Sequence, residues 1–238
     1  MGVEGMMLMG AVIGFFIGLK TGNPYLAVIG AGLAGAAGAL IFAILTITLR
    51  ANQIVTGLTL TIFGVGFSSF MGKQLIGSTV PQNIKDFFNE FTIPVLGNIP
   101  VIGDVFFKQG IFIYFGYVVA LITGIYLYKT RYGLNLRAVG ENMGAADASG
   151  INVEKYQYIH TLLGGVLAGI AGGYLSLVYV PAWQENVTAG RGWIAVALVI
   201  FCRWNPFAAL FGAYVFGGLD IVGFRLQQVN IQVSPYSV

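Results

Sequence analysis

The chain has 238 residues, of which 57% are hydrophobic and 9% are charged, and its formal net charge is +3. Soluble domains carry about 25% charged residues, so the composition excludes a soluble globular protein and predicts an integral membrane protein. The single cysteine, Cys202, excludes an internal disulfide, and the single histidine, His160, excludes a metal site built from several histidines.

Seven apolar segments follow one another along the chain. A helix needs about 20 residues to cross a bilayer, because every backbone polar group must be satisfied within the segment. The segments are rich in Ala, Gly and Leu and lack the alternation of strands, so they predict an all-α polytopic transmembrane helix bundle with about six to seven membrane segments. They cover residues 6–19, 25–49, 54–72, 111–128, 158–180, 192–202 and 206–224, and the first and sixth are short.

The basic residues predict the orientation, since Lys and Arg mark cytoplasmic loops. Four of them flank a polar stretch and place the 129–157 loop in the cytoplasm; they are Lys129, Arg131, Arg137 and Lys155. We thread the chain outward from this loop by letting it cross the membrane once per apolar segment. This threading puts Arg50 and Arg203 inside, and it puts the segments 73–110 and 181–191 outside. We therefore expect residues 1–238 to form a single transmembrane domain with a long extracytoplasmic loop at 73–110.

Two parts of the chain resemble each other. The segment "GNPYLAVIGAGLAG" (22–35) matches "WNPFAALFGAYVFG" (204–217), and each follows a short apolar segment. The threading places the first Asn-Pro outside and the second inside, which predicts an inverted internal repeat with short or broken helices, an architecture of transporters. The alternative is a chance similarity between helices rich in small residues.

The stretch "RAVGENMGAADASGINVEKY" (137–156) is a polar interruption between two apolar segments. Its part 142–149 is rich in alanine and suits a short helix, with Asn142 as the N-cap and with Gly140 and Gly150 as boundaries. Because such a short helix is unstable alone in water, we expect a partner to dock against it. An ordinary solvated loop is the alternative.

Polar and aromatic residues at helical spacing predict a substrate path along the third segment. Hydroxyl and amide groups could bind a ribose, and aromatic rings could stack on a base. The predicted path residues are Asn52, Gln53, Thr56, Thr59, Phe63 and Phe67, with Trp193 from the sixth segment. The alternative for the threonines is that their hydroxyls bond the backbone of their own helix.

Several kinds of chemistry have no signature in the sequence. "GKQ" (72–74) lacks the glycine spacing and the hydroxyl residue of a phosphate-binding P-loop, so this chain is not predicted to hydrolyse ATP. Neither a nucleophile–base pair nor a metal-ligand cluster is visible, which argues against a membrane enzyme. Asp220 is a functional candidate, because it is a carboxylate late in an apolar segment.

Five further pieces, in this order and spacing, resemble one family over nearly the whole chain. They are "GVEGMMLMGA" (2–11), "RANQIVTGLTLTIFGVGFSSFMG" (50–72), "IPVLGNIPVIGDVFF" (93–107), "TRYGLNLRAVGENMGAADASGINV" (130–153) and "GRGWIAVALVIFCRWNP" (190–206). The family is that of the permease subunits of ABC importers for nucleosides and simple sugars, which are related to branched-chain amino acid permeases.

The resemblance implies a multi-pass protein of the prokaryotic plasma membrane that forms the translocation path in contact with membrane lipids. It implies three protein partners: an ABC ATPase, a second permease subunit in a homo- or heterodimer, and an extracytoplasmic substrate-binding protein. It implies no nucleic acid and no cofactor in this chain, because the ATPase binds ATP and Mg. A cytoplasmic coupling helix at about 141–151 would contact the ATPase through Arg137, Glu141, Asn142, Ala145, Ala146, Asp147 and Gly150.

Two departures from the family lead us to expect that the chain is truncated at both termini. Family members usually have a helix before the Gly-x-Glu-Gly motif, and they usually continue beyond "SPY" (234–236). We favour nucleosides over simple sugars as substrates because of the resemblance of 50–72 and 190–206. The alternative function is an ATP-independent secondary transporter or channel for small polar solutes, and a membrane enzyme is the third hypothesis.

Overall fold

The computed structural model describes residues 2–92 and 108–229. One piece of the resemblance, 93–107, and the "SPY" segment at 234–236 lie outside the described residues. Six described helices are long and apolar enough to cross a membrane, and a shorter apolar helix covers Arg191–Phe201. The predicted all-α membrane bundle is therefore confirmed.

The helices begin and end close to the predicted boundaries. They are α1 (Val3–Thr21), α2 (Pro24–Ala43), α3 (Gln53–Gly72), α4 (Gln82–Phe87), α5 (Ile111–Lys129), α6 (Arg131–Glu141), α7 (Met143–Ala148), α8 (Val153–Tyr174), α9 (Arg191–Phe201) and α10 (Pro206–Val229). Two π-helical turns continue α2 and α8, at Ile44–Thr48 and Leu175–Tyr179. Within the segment 73–110, strands β1 (Glu90–Thr92) and β2 (Lys108–Gly110) form an antiparallel pair.

Helix α1 lies at the centre of the bundle and packs against α2, α3 and α8. Glycines let the backbones touch: a Cβ at Gly10 would lie 2.3 Å from the Gly169 carbonyl oxygen, and one at Gly35 would lie 2.2 Å from the Gly165 carbonyl oxygen. Such close approach is how membrane helices gain packing energy where lipid tails are as apolar as the side chains. These glycines therefore bring α1, α2 and α8 into backbone contact.

The two ends of the bundle carry different elements. At the end that we call the α4 end, the Asn83 amide donates to the Gly22 carbonyl oxygen at 2.7 Å, and the N–H of Val80 donates to the Pro181 carbonyl oxygen at 3.1 Å. At the opposite end, the α7 end, Arg50 and Asp147 line the same cleft. The charged loop 129–157 and Arg50 therefore lie at one end, as the threading requires.

The repeated Asn-Pro segments occupy opposite ends. Asn23, at the α4 end, caps α2 by accepting from the N–H of Tyr25 at 2.9 Å. Asn205 caps α10 by accepting from the N–H of Phe207 at 3.0 Å, and it lies beside Leu127 near the end of α5 that leads to α7. Helices α1 and α2 and helices α9 and α10 thus form two inverted helix pairs.

Candidate functional site

The carboxylate of Glu4 is buried in the bundle, with a relative exposure of 5%. It accepts hydrogen bonds from the Thr188 hydroxyl, from the N–H of Gly190 at 3.0 Å and from the N–H of Gly192 at 2.6 Å. Both oxygen atoms are used. Among the described residues, Glu4 is the only charged side chain that is buried.

Two helix N-termini compensate this buried charge. Glu4 lies in the first turn of α1, and its three donors lie at the start of α9. Exposed N–H groups and the aligned peptide dipoles at these positions favour a negative charge. The intervening Arg191 turns away, because its guanidinium lies over the Tyr179 ring, 4.6 Å from the ring centroid.

Glycine at position 192 permits this contact. A Cβ built on Gly192 would come within 2.4 Å of the Glu4 Oε2 and 2.8 Å of the Glu4 Cα. The next residue along α9 is Trp193, whose side chain is 37% exposed. The contact between Glu4 and Gly192 therefore fixes the point from which Trp193 projects.

Glu4 lies part-way along the bundle, between its two ends. A Cβ at its neighbour Gly5 would lie 2.4 Å from the Leu60 carbonyl oxygen. Leu60 is about 10 Å from the start of α3 at Gln53, at a rise of about 1.5 Å per residue. Trp183, by contrast, packs against Gly72 at the other end of α3 and against the Phe15 ring, with centroids 5.6 Å apart. The chain between Trp183 and Gly190 therefore enters the bundle.

This course differs from the expected outer loop at 181–191. Irregular backbone is tolerated at membrane depth only where protein covers it, and Thr188 and Val187 are both buried. Helix α9 then runs from Glu4 toward the α7 end, whereas α1 runs from Glu4 toward the α4 end. The first helices of the two repeat units, α1 and α9, thus meet at their N-termini; of the two only α9 is short, since α1 has 19 residues and is long enough to cross a membrane.

The predicted path residues of α3 divide into separate groups. Asn52 is the N-cap of α3 and accepts from the N–H of Ile54 at 2.9 Å. The hydroxyls of Thr56 and Thr59 donate to the carbonyl oxygens of their own helix, each at 2.9 Å, which is the alternative considered above. Hydroxyls bonded in this way still have acceptor capacity for a ligand.

Three predicted path residues come together between α2 and α3. Thr56, Thr59 and Phe63 line a cavity of about 170 Å³ that is otherwise apolar. The Phe63 ring stacks on Phe67, with centroids 6.1 Å apart. Gln53 lies elsewhere, in the cleft beside α7. Trp193 also lies elsewhere, on α9. Both α9, through Gly192, and α3, through Leu60, pack against the first turn of α1.

A polar cleft of about 470 Å³ separates α7 from the starts of α3 and α8. It is lined by Arg50 and Gln53 at the start of α3, by Met143 and Asp147 of α7, and by Glu154 of α8. Within it the Gln157 amide donates to the Met143 sulfur at 3.3 Å. Helix α7 therefore borders this cleft and is attached to the bundle through α6 and α8.

Helix α7 forms as the sequence predicts, with Asn142 as the N-cap. The Asn142 side chain accepts from the N–H of Ala145 at 3.0 Å, and Gly150 ends the segment with a φ of 79°. Ala145 and Asp147 are exposed. Ala146, which we expected on the same docking surface, is buried at 3% exposure, so its methyl group supports the helix from inside.

The other two predicted docking residues lie nearby. Glu141 is exposed at the end of α6, a helix that the apolar pattern does not reveal. The Arg137 guanidinium lies over the Tyr128 ring, 5.4 Å from its centroid, and so joins α6 to α5. This contact leaves a charged group at the same end as α7.

Hydrogen bonds join α6, the helix before α7, to the membrane helices α5 and α8. The Asn135 amide of α6 donates to the Tyr156 hydroxyl at 3.0 Å. His160 contacts the Tyr156 carbonyl oxygen through Nδ1 at 2.7 Å and the Tyr126 hydroxyl through Nε2 at 2.9 Å. Because Nδ1 faces a carbonyl oxygen it carries the proton, so Nε2 accepts from Tyr126. Helices α5, α6 and α8 are thereby tied together.

Glu4 is the functional candidate that the sequence analysis misses. It lies just before the first predicted segment, 6–19, so the hydropathy pattern gives no sign that it is buried. The rule that intramembrane carboxylates are functional candidates applies to it better than to Asp220. Asp220 is exposed on α10, whereas Glu4 is buried.

Comparison with known proteins agrees with the geometry. A family model described as "Branched-chain amino acid transport system / permease component" matches residues 1–236. No solved structure shows a significant match. A protein named "Putative glucose ABC transporter permease protein" from Haloferax volcanii is 38% identical, over 99% of this chain and 71% of the relative.

Two further relatives carry nucleoside names. The nucleoside ABC transporter permease protein of Lactococcus lactis is 34% identical, and the guanosine ABC transporter permease protein of Bacillus subtilis is 35% identical. In both cases the match covers 99% of this chain and 79% of the relative. Permease subunits of this family are transport components that work with an ATPase and a substrate-binding protein. The inverted helix pairs, the six membrane helices and the family match together show that the chain belongs to the permease family of ABC importers, as a multi-pass plasma-membrane subunit.

Proposed function

We propose that this permease carries neutral, hydroxylated solutes, nucleosides first and simple sugars second, past the start of α1, where α3 packs on Gly5 and α9 packs on Glu4. The names of its relatives support this substrate class, since they include guanosine, nucleosides and glucose. Two of the predicted path residues, Thr59 and Phe63, line the cavity between α2 and α3, and a third, Trp193, lies on α9 next to the contact at Glu4; they provide hydroxyl and aromatic groups. Such groups suit a ribose and a base.

The electrostatics of the bundle support a neutral substrate. Glu4 is the buried charge among the described residues, and its oxygen atoms accept from the chain's own donors. A charged solute would need an opposite charge or free helix N-termini to replace its hydration. A neutral solute needs only hydrogen bonds and apolar contact.

We assign energy coupling to α7, as the docking site of a separate ABC ATPase that binds ATP and Mg. The observation that carries this proposal is the geometry of α7: a six-residue helix capped by Asn142, bordered by a polar cleft, and with Ala145 and Asp147 exposed. Arg137, Glu141 and Gly150 flank it, and a second permease subunit and an extracytoplasmic substrate-binding protein complete the importer.

Copurification with the ATPase tests this assignment. The permease is tagged, extracted in mild detergent and probed for bound ATPase, with Ala145→Arg as the test variant. We expect that variant to fold normally and to lose the ATPase, because the arginine enlarges an exposed docking surface. Gln74→Arg is the matched control, since Gln74 is exposed on the α4 end and receives the same charge.

The alternative function, an ATP-independent transporter or channel, predicts a different outcome. Both variants would then behave alike, and the purified permease would conduct solutes without an ATPase. If a folded Ala145→Arg variant retained the ATPase, α7 would not be part of the docking surface. Uptake by the permease alone would favour the alternative.

A further inference from the structure

The start of α9 is held to the bundle mainly by one side chain. Gly192 is the buried residue of α9. Residues 196–199 are half-buried, and other side chains of that helix are exposed: Ile194 is 49% exposed, Ile200 57% and Phe201 78%. At the other end of α9, Cys202 packs on α10, since a Cβ at Gly212 would lie 2.8 Å from its sulfur. The contact of α9 with α1 is therefore concentrated at Glu4.

The contact at Glu4 is difficult to replace. A buried carboxylate is tolerated only while donors surround it, and here the donors are two backbone N–H groups and the Thr188 hydroxyl, which is itself fully buried. Charge-assisted hydrogen bonds of this kind are stronger than those between neutral groups. Loss of the negative charge would weaken all three at once.

We infer that Glu4 is a positioning residue for transport: its carboxylate fixes the first turn of α9 against α1, and so fixes Trp193 beside the substrate path. This inference rests on the proposed path at Trp193. Glu4 itself does not contact the solute, because its oxygen atoms are occupied by the chain. Its substitution is expected to change how well the solute is bound, through the placement of α9, while the ATPase docking site at the α7 end stays intact.

The placement of α9 can be measured without any solute. In a Cys202→Ser background, cysteines are introduced at Ile200 on α9 and at Ile41 on α2, which are 57% and 42% exposed. Spin labels at these positions report the distance between the two helices in the permease–ATPase complex in nanodiscs. We expect one narrow distance distribution with Glu4 present and a distribution at least about twice as wide after Glu4→Gln.

Three variants make the assignment specific. Glu185→Gln removes an exposed carboxylate from the segment that leads to α9 and is expected to change nothing. Thr188→Val removes one donor but leaves the charge and the two N–H groups, so its effect is expected to be smaller than that of Glu4→Gln. Gly192→Ala forces a Cβ toward the carboxylate and is expected to resemble Glu4→Gln.

Uptake kinetics separate positioning from simple stability. We expect Glu4→Gln to raise the KM for a radiolabelled nucleoside at least about fivefold while basal ATP hydrolysis by the complex is retained. An unchanged distance distribution, or a changed distribution with an unchanged KM, would overturn the inference. If the wild-type complex takes up neither nucleoside nor glucose, the proposed substrate fails, and the distance measurement still decides whether Glu4 holds α9.

Discussion

Asn23 and Asn205 cap their helices in the same way from opposite ends of the bundle. Each side-chain oxygen accepts from two backbone N–H groups, at 2.9 and 3.4 Å for Asn23 and at 3.0 and 3.4 Å for Asn205. Each residue precedes a proline, which needs no N–H partner at the first position of a helix. The sequence repeat therefore corresponds to a structural repeat that includes its capping hydrogen bonds.

Removal of either cap should destabilise the protein by a similar amount. Asn23→Ala and Asn205→Ala are each expected to lower the free energy of unfolding by about 1 kcal/mol, because an N-cap hydrogen bond is lost. Unfolding in mixed detergent micelles measures the change. Asn→Asp at the same positions keeps the acceptor and should stay near wild type; a loss as large as that of alanine would argue against the cap.

Substitution of Gly169 tests the close packing of α2 and α8. A Cβ at Gly169 would lie 2.2 Å from the Ala31 carbonyl oxygen, so Gly169→Ala is expected to destabilise the fold by about 1–3 kcal/mol through overpacking. Gly164, in the same helix, has open space around its Cβ position and is the matched control. The temperature of thermal unfolding should be lowered by Gly169→Ala and unchanged by Gly164→Ala. An equal decrease in both variants would contradict the close packing of α2 and α8.

The link between α5 and α8 depends on the Tyr126 hydroxyl. Tyr126→Phe leaves the His160 Nε2 without its donor, so we expect a loss of about 1 kcal/mol of stability. Tyr132→Phe is the control, because Tyr132 is 67% exposed at the start of α6. If both variants unfold at the same temperature as the wild type, this hydrogen bond does not stabilise the junction.

Aromatic residues beside the path should influence affinity more than turnover. Trp193→Ala and Phe63→Ala are each expected to raise the KM for a nucleoside about fivefold or more, since stacking of a base on an aromatic ring contributes about 1–3 kcal/mol. Phe70→Ala, on an 80% exposed side chain of α3, is the control. An increase in KM for Phe70→Ala alone would move the path to another face of α3.

The membrane helices could be predicted because hydropathy and length decide them almost without reference to tertiary structure. Residues 54–72, for example, became α3 (Gln53–Gly72), and Asn142 caps α7 as expected. The contacts within the bundle could not be predicted in the same way. Whether Ala146 faces inward depends on how α7 packs on α6 and α8, and the cavity beside Thr59 depends on residues of α2.

Glu4 shows most clearly what the sequence pattern lacks. A carboxylate at the start of an apolar segment usually marks the membrane surface, and only its three donors at 188–192 reveal that it is buried. The same contact explains why the segment after Trp183 enters the bundle, although the threading placed residues 181–191 in an outer loop. The sequence repeat was the available signal for this contact, because it pairs α1 with α9.

ATP-driven uptake is the measurement that tests the central claim most directly. The permease, its ATPase and its substrate-binding protein are reconstituted into proteoliposomes, and radiolabelled nucleoside and glucose are supplied to separate samples. We predict uptake that requires ATP, that is stronger for the nucleoside, and that is abolished by Ala145→Arg but not by Gln74→Arg. Uptake that proceeds equally without ATP, or that survives in a folded Ala145→Arg variant, would contradict an ATPase-coupled permease that docks through α7.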